Sequence, residues 1–293
     1  MKWVEKNPFI MIIVGVMGIA LSSIFVRYSI APSSVTAAYR LLWTVLLMTP
    51  VVIGNSDIRK QIVGISPKLL AVCCVSGLFL AAHFVLWFES LKHTSVASST
   101  TIVCTEVVWV ALGFVFFLKG KVGWRAILAI TISLLGSAFI AFSDSSNEAS
   151  FYGDILSLLA AVSVAVYTLL GRVARAKLTT SVYTYLVYLS CSAALLATCA
   201  VQGTSLAGYG WSPAIVGLLL AVFSTILGHS IFSWCLKFFS PSFVSASKLA
   251  EPVIAAVFAA FLFGEMPTWL QILGGTLVLG GVLYYSHLES KTK

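Results

Sequence analysis

Stretches of roughly 20 apolar residues, separated by breaks too short to hold a domain, leave this chain few ways to fold. A helix that crosses a bilayer needs about that length, and in lipid every backbone N–H and C=O must find its partner within the protein. Ten stretches qualify, at about 8–30, 34–53, 68–91, 95–118, 124–142, 152–171, 181–201, 213–236, 242–264 and 268–287. Between them lie turn-forming segments such as "APSS" at 31–34, "SDSSNEAS" at 143–150 and "GTSLAGYGWSP" at 203–213. Only 10% of the residues are charged, against about 25% in soluble domains. The reading is an all-α polytopic membrane protein of ten transmembrane helices. The first run is too long for the apolar core of a signal peptide and lacks a clear cleavage site, so it is expected to be retained as a span.

The formal net charge of +8 does not read as a nucleic-acid footprint, because no basic run with interleaved aromatics occurs. Lys and Arg fall mostly in the short segments between spans. With the N-terminus cytoplasmic, inner segments hold fourteen of them and outer segments two, Arg27 and Lys92. That excess orients both termini to the cytoplasm of a multi-pass plasma-membrane protein. The remaining two, Arg40 and Lys248, lie within spans. Six cysteines all fall in apolar runs without metal-ligand spacing and read as packing residues. No metal site or cofactor is expected.

The chain repeats itself. A constant offset of 145 aligns the stretch from Leu91 with that from Leu236, pairing Lys92 with Lys237, Glu106 with Glu251, Trp124 with Trp269 and Gly136 with Gly281. Apolar matches arise by chance between hydrophobic helices; a matched intramembrane Glu and a matched Trp do not. The halves are 1–145 and 146–293, five spans each. Five is odd, so the second half enters the membrane upside down, with Arg27 outside and its mate Arg172 inside. Inverted repeats are a recurrent plan of secondary transporters, whose substrate site lies near the midplane where the repeats meet.

These residues also carry a resemblance. "TAAYRLL" at 36–42, "LKHTSVASSTTIV" from Leu91, "GDILSLLAAVSVAVYTLLGR" at 153–172 and "LAEPVIAAVFAAFLFGEMPTWLQILGGTLVLGGVL" at 249–283 resemble the EamA family of the drug/metabolite transporter superfamily over nearly the whole chain. The resemblance implies a ten-helix permease that exports small metabolites such as amino acids. It also implies that the fifth and tenth helices pack at the periphery while the other eight surround the pathway. Two departures stand out: Val107 occupies a position where the family often has Pro, and "KGK" at 119–121 replaces a Gly-Glu.

Polar residues inside spans are the candidate site. Lys248 and Glu251 are three apart and share a helix face. Pro252 removes an N–H and is expected to kink the helix, leaving the Lys248 carbonyl without its intrahelical partner. An intramembrane carboxylate is a functional candidate by default, so Glu106 and Glu251 are named. Glu106, with Val103 and Val107 at the places of Lys248 and Pro252, is the expected proton carrier; Glu251 is the expected partner of Lys248. The bland reading pairs Glu106 with Arg40 or Lys248 to hold the halves together. Arg40, whose mate is Tyr185, is a candidate to hold a substrate carboxylate by a bidentate contact. His83 and Trp87 on the third span and His229 on the eighth are candidate cavity-lining residues, with packing as the alternative. The glycine pairs 274–275 and 280–281 permit close helix approach.

The expectation is therefore a secondary transporter of a small organic metabolite, alternating access between inverted halves, with protons as candidate coupling ions and a monomer or weak homodimer in the lipid bilayer. A lipid or lipid-linked sugar flippase would need a lateral groove. An intramembrane enzyme would need a converging nucleophile and base, and neither a Gly-x-Ser-x-Gly elbow nor a His-Glu-x-x-His helix is present.

Overall fold

The computed structural model describes residues 7–291 apart from 27, 95, 144–150 and 264–266; Arg27 and the 144–150 junction between the halves lie outside the described residues. Helices form where the apolar runs lie: α1 (Pro8–Val26), α2 (Ser33–Gly54), a short α3 (Ser56–Val63), α4 (Pro67–Ser90), α5 (Val96–Cys104), α6 (Glu106–Phe116) and α7 (Trp124–Ser143). The second half gives α8 (Phe151–Arg175), α9 (Thr180–Val201) and α10 (Ser212–Leu219), which passes through a π-helix (Leu220–Ser230) into α11 (Ile231–Cys235). Then come α12 (Pro241–Ser247), a 3-10 turn (Lys248–Ala250), α13 (Glu251–Phe263) and α14 (Trp269–Ser290). Eight helical stretches among the described residues are long and apolar enough to cross a membrane; Ser99–Phe116 and Ser212–Cys235 each join more than one of these elements. The other two expected spans are occupied by α7 and by the interrupted α12–α13, so length and composition alone support eight crossings rather than the expected ten.

Compactness does not follow the halves. One compact unit comprises Met1–Val85 with Val166–Phe238, the other Leu86–Ala165 with Phe239–Lys293. Each draws helices from both halves, and the division falls within α4 and within α8.

In the first unit α2 packs on α9, and their ends are clamped in a matching way. Ser34, at the start of α2, donates to the Gln202 side-chain carbonyl just past α9 at 2.8 Å. Thr179, the repeat mate of Ser34, donates from just before α9 to the side-chain carbonyl of Gln61, on the short helix after α2, at 2.8 Å. Each helix start meets the segment that follows the other helix, so the mated helices run antiparallel. Phe84 on α4 meets its own mate, His229 of the π-helix, edge to face at 5.5 Å between ring centres.

In the second unit α7 and α14 pack along their length. They approach closely because small residues line the seam. A Cβ on Gly136 would stand 2.5 Å from the Gly274 carbonyl oxygen, and one on Gly274 would stand 2.6 Å from the Gly136 oxygen. The mated contact is there too: a Cβ on Gly281 would stand 2.7 Å from the oxygen of Ala129, the mate of Gly274. Between them Ser133 donates to the carbonyl of its own mate, Val278, at 3.3 Å. A residue touching its own mate marks a local two-fold axis, and here the seam crosses it.

Gly136→Ala is expected to destabilise the protein by about 1–3 kcal/mol, the usual cost of overpacking. Gly280→Ala, where an added Cβ meets nothing within 4 Å, is expected to be neutral or mildly stabilising, since Ala favours helix over Gly. Thermal unfolding in detergent micelles compares them; equal midpoints would contradict the seam.

Candidate functional site

The candidate residues fall into two clusters, one in each compact unit. In the second unit both mated helices break immediately before their glutamates. α12 gives way to the 3-10 turn Lys248–Ala250, and Glu251 opens α13. α5 ends at Cys104, and Glu106 opens α6 after Thr105. Pro252 explains the first break but not the second, because Val107 stands at the mated place. There the turn closes by i→i−3 bonds: the Thr105 N–H donates to the Ile102 carbonyl at 3.0 Å and its hydroxyl to the same carbonyl at 2.6 Å. The Lys248 carbonyl is not left open as expected; the Glu251 N–H donates to it, which is how a 3-10 turn recovers a bond that Pro252 cannot make. Each glutamate thus sits in the first turn of a helical segment, where the aligned peptide dipoles favour negative charge.

The Glu106–Lys248 pairing of the alternative reading is present. Lys248 Nζ lies 2.9 Å from Glu106 Oε1, with the two side chains 12% and 6% exposed. The Ser245 hydroxyl, one turn before Lys248, donates to the same oxygen at 2.8 Å. Glu106 therefore does not stand in apolar surroundings, and the ammonium faces the carboxylate across the helix pair rather than only the one on its own helix. Glu251 is half-buried, and Cys104 lies within electrostatic range of Glu106, Lys248 and Glu251 together. Trp87, on the end of α4 that belongs to this unit, is buried with its ring 5.3 Å from that of Phe88.

In the first unit the centre is Arg40, 1% exposed. Its Nε donates to the Thr225 hydroxyl at 2.7 Å and an Nη to the Ser22 hydroxyl at 3.4 Å, and its guanidinium lies over the Phe84 ring at 4.2 Å. Arg40 and Glu106 fall in different compact units. Thr225 sits inside the π-helix and passes its own proton to the carbonyl of Leu220, five residues back, at 3.1 Å. The widened turn gives that hydroxyl room to serve the arginine and the backbone at once; such turns often occur at functional sites. Around them His83 packs at 5.3 Å on Phe84, and Tyr167 approaches His229 at 6.0 Å while bonding Ser233 at 3.0 Å. Tyr188 joins through Ser230 at 2.9 Å. His83, His229 and Arg40 are thus brought together around one phenyl ring. Among the described residues no group of three or more His, Cys, Asp or Glu is placed to hold a metal.

Ser245, Thr225, Ser22, Phe84 and Tyr188 are not among the candidates named from sequence. A signal for the first exists: in antiparallel mated helices, a residue three after one mate faces the region three before the other, which sets Ser245 opposite Glu106. For Thr225 the hint is the polar stripe Ser224, Thr225, His229, Ser233 on one span.

An inverted pair of helical repeats, with charges held at the breaks of mated helices, defines a membrane transporter of the drug/metabolite type. The EamA-like transporter family matches the chain twice, at 7–142 and 151–286, and the chain belongs to it. An uncharacterized transporter of Archaeoglobus fulgidus is 24% identical, the match covering 73% of this chain and 74% of that protein. The uncharacterized transporter YwfM of Bacillus subtilis is 28% identical over 77% of this chain and 74% of its own length. A crystal structure with 14% identity shares the fold, at a TM-score of 0.79 covering 98% of this chain and 99% of that one.

Proposed function

We propose that this transporter exports a small organic metabolite, of the size and kind of an amino acid, across the plasma membrane by alternating access between its inverted halves. The observation that carries the reading is the set of contacts that recur under the 145-residue offset, Gly136 with Gly274 and Gly281 with Ala129. Antiparallel mated helices give each half two equivalent arrangements, which is what alternation requires. Ten crossings with both termini cytoplasmic are supported by the paired five-helix halves and the Lys/Arg distribution.

Arg40 is the group proposed to recognise the substrate carboxylate. It is buried, its Nε and an Nη donate to the hydroxyls of Thr225 and Ser22, and its guanidinium lies over the Phe84 ring. A guanidinium at this depth attracts an anionic group and receives it by two parallel bonds. Protons are proposed as the coupling ion, and the protein as a monomer or weak homodimer.

A thermal-shift screen of purified protein against small carboxylated metabolites, amino acids included, tests the substrate class. A true ligand at about 100 times its Kd stabilises by about 2.7 kcal/mol. The expected result is a shift in wild type that Arg40→Gln abolishes and Arg40→Lys only weakens, since lysine keeps the charge but loses the fork. Shifts from uncharged compounds alone, or shifts unchanged in Arg40→Gln, would contradict the role. Orientation is tested separately in intact cells: Ser205→Cys is expected to react with an impermeant thiol reagent from outside, and Lys177→Cys only after permeabilisation. The opposite pattern would invert the topology.

A further inference from the structure

Arg59, Lys60, Lys68, Lys177 and Lys237 are exposed and lie outside the candidate site. They belong to three segments of the first unit that side chains tie together. Gln61 of α3 accepts from the Thr179 N–H at 2.9 Å and from its hydroxyl at 2.8 Å, which sets Arg59 and Lys60 beside the turn that holds Lys177. Arg172 donates to the carbonyl of Leu236, next to Lys237, and Arg175 to the carbonyls of Leu178 and, at 3.1 Å, Ser233. The turn between α8 and α9 is thereby fastened both to α3 and to the end of α11. Among the described residues none of the exposed cations named here makes an ion pair.

The fold does not require these charges. Under the 145-residue offset the mates of Arg59, Lys60, Lys68 and Lys177 are Thr204, Ser205, Pro213 and Pro32. The matching clamp from Ser34 to Gln202 nevertheless closes at 2.8 Å, so a corner of this kind holds without cations. An excess of Lys and Arg orients a chain wherever in the inner segments it lies. Here it is gathered at one tied corner, around an apolar side chain. On α3, Ile58 is buried and Ile62, one turn on, is half-buried. The opposite face carries Arg59, Lys60 and, between them by helical geometry, Val63, which is 87% exposed. A short helix with an apolar tip between cations suits a membrane interface: the apolar group enters the acyl boundary and the charged heads stay with the headgroups. The one carboxylate of these segments, Asp57, stands in the first turn of α3, where the helix dipole favours it.

We infer that this corner is a docking surface for the anionic headgroups of phospholipids in the cytoplasmic leaflet. The inference rests on the orientation proposed above and goes beyond it by naming a partner. Charge complementarity selects the occupant, because the negative potential of that leaflet attracts cations beside a span. A zwitterionic lipid carries its own cation next to the phosphate and gains less. A free phosphate would use the charges but not Val63, whereas a lipid uses both. A headgroup held by Lys60 and Lys177 together bridges the same two segments that Gln61 and Thr179 join, and so favours the arrangement seen here.

Native mass spectrometry of the full-length protein, released from micelles doped with equal amounts of phosphatidylglycerol and phosphatidylcholine, tests the surface without any substrate. Wild type is expected to retain phosphatidylglycerol in preference to phosphatidylcholine. Arg59→Gln/Lys60→Gln/Lys177→Gln is expected to lower that preference about a hundredfold, roughly fivefold for each cation removed. Val63→Asn, which leaves every charge in place, is expected to weaken retention of both lipids. Lys119→Gln/Lys121→Gln, in an inner segment of the second unit, is expected to keep the wild-type preference. Equal retention of the two lipids by wild type would overturn the inference, as would a preference that survives the triple substitution. A preference lost equally in the Lys119/Lys121 variant would overturn it too, by showing a general effect of charge. Displacement of phosphatidylglycerol by excess inorganic phosphate, with Val63→Asn behaving as wild type, would reassign the surface to a free anion. Lipid retention in micelles does not depend on which way the chain faces, so a reversed orientation shows only in the thiol labelling of Ser205→Cys and Lys177→Cys.

Discussion

An ammonium at bilayer depth stays folded in place only while a carboxylate is within reach; removing one member of a buried pair typically costs about 3–5 kcal/mol. Lys248 meets this constraint through Glu106 on a different helix, and much else in the second unit follows. The pair needs α6 and α12 side by side, which requires small and hydroxylated residues between them, and Ser245 supplies one. It needs both carboxylates at the starts of helical segments, which the breaks at Thr105 and at Lys248–Ala250 provide. Two interruptions occur at mated positions, one with a proline beside it and one without. The break therefore belongs to the repeat and not to Pro252 alone.

The first unit solves a related problem with different chemistry. Arg40 meets hydroxyls and an aromatic face, contacts that orient the guanidinium. The π-helix is the local device that makes this work: its extra residue per turn lets Thr225 accept from Arg40 while its own proton reaches Leu220.

Much of this is legible in the sequence, for definite reasons. Span positions are legible because roughly 20 apolar residues have few alternatives in lipid, and the antiparallel mating of α7 with α14 is implied by an odd number of spans per half. The importance of Gly136, Gly274 and Gly281 is visible as small residues in apolar helices. For Lys248 the sequence offers both Glu251, three residues away, and Glu106, 142 positions earlier, and local spacing alone does not reveal the tertiary contact with Glu106. The π-helix leaves no residue signature, since Leu220–Ser230 has the same apolar pattern as its α-helical flanks. The division into compact units that cut across the repeats is equally hidden: it depends on which mated helices pack together, not on which follow one another.

The central claim is that Lys248 is held at bilayer depth by Glu106 on a different helix. The most direct test is thermal unfolding of Glu106→Gln beside Glu106→Gln/Lys248→Met in detergent micelles. The account predicts a lower midpoint for the single variant, since a buried charge that loses its partner costs about 3–5 kcal/mol, and recovery in the double variant. A single variant as stable as wild type would contradict it.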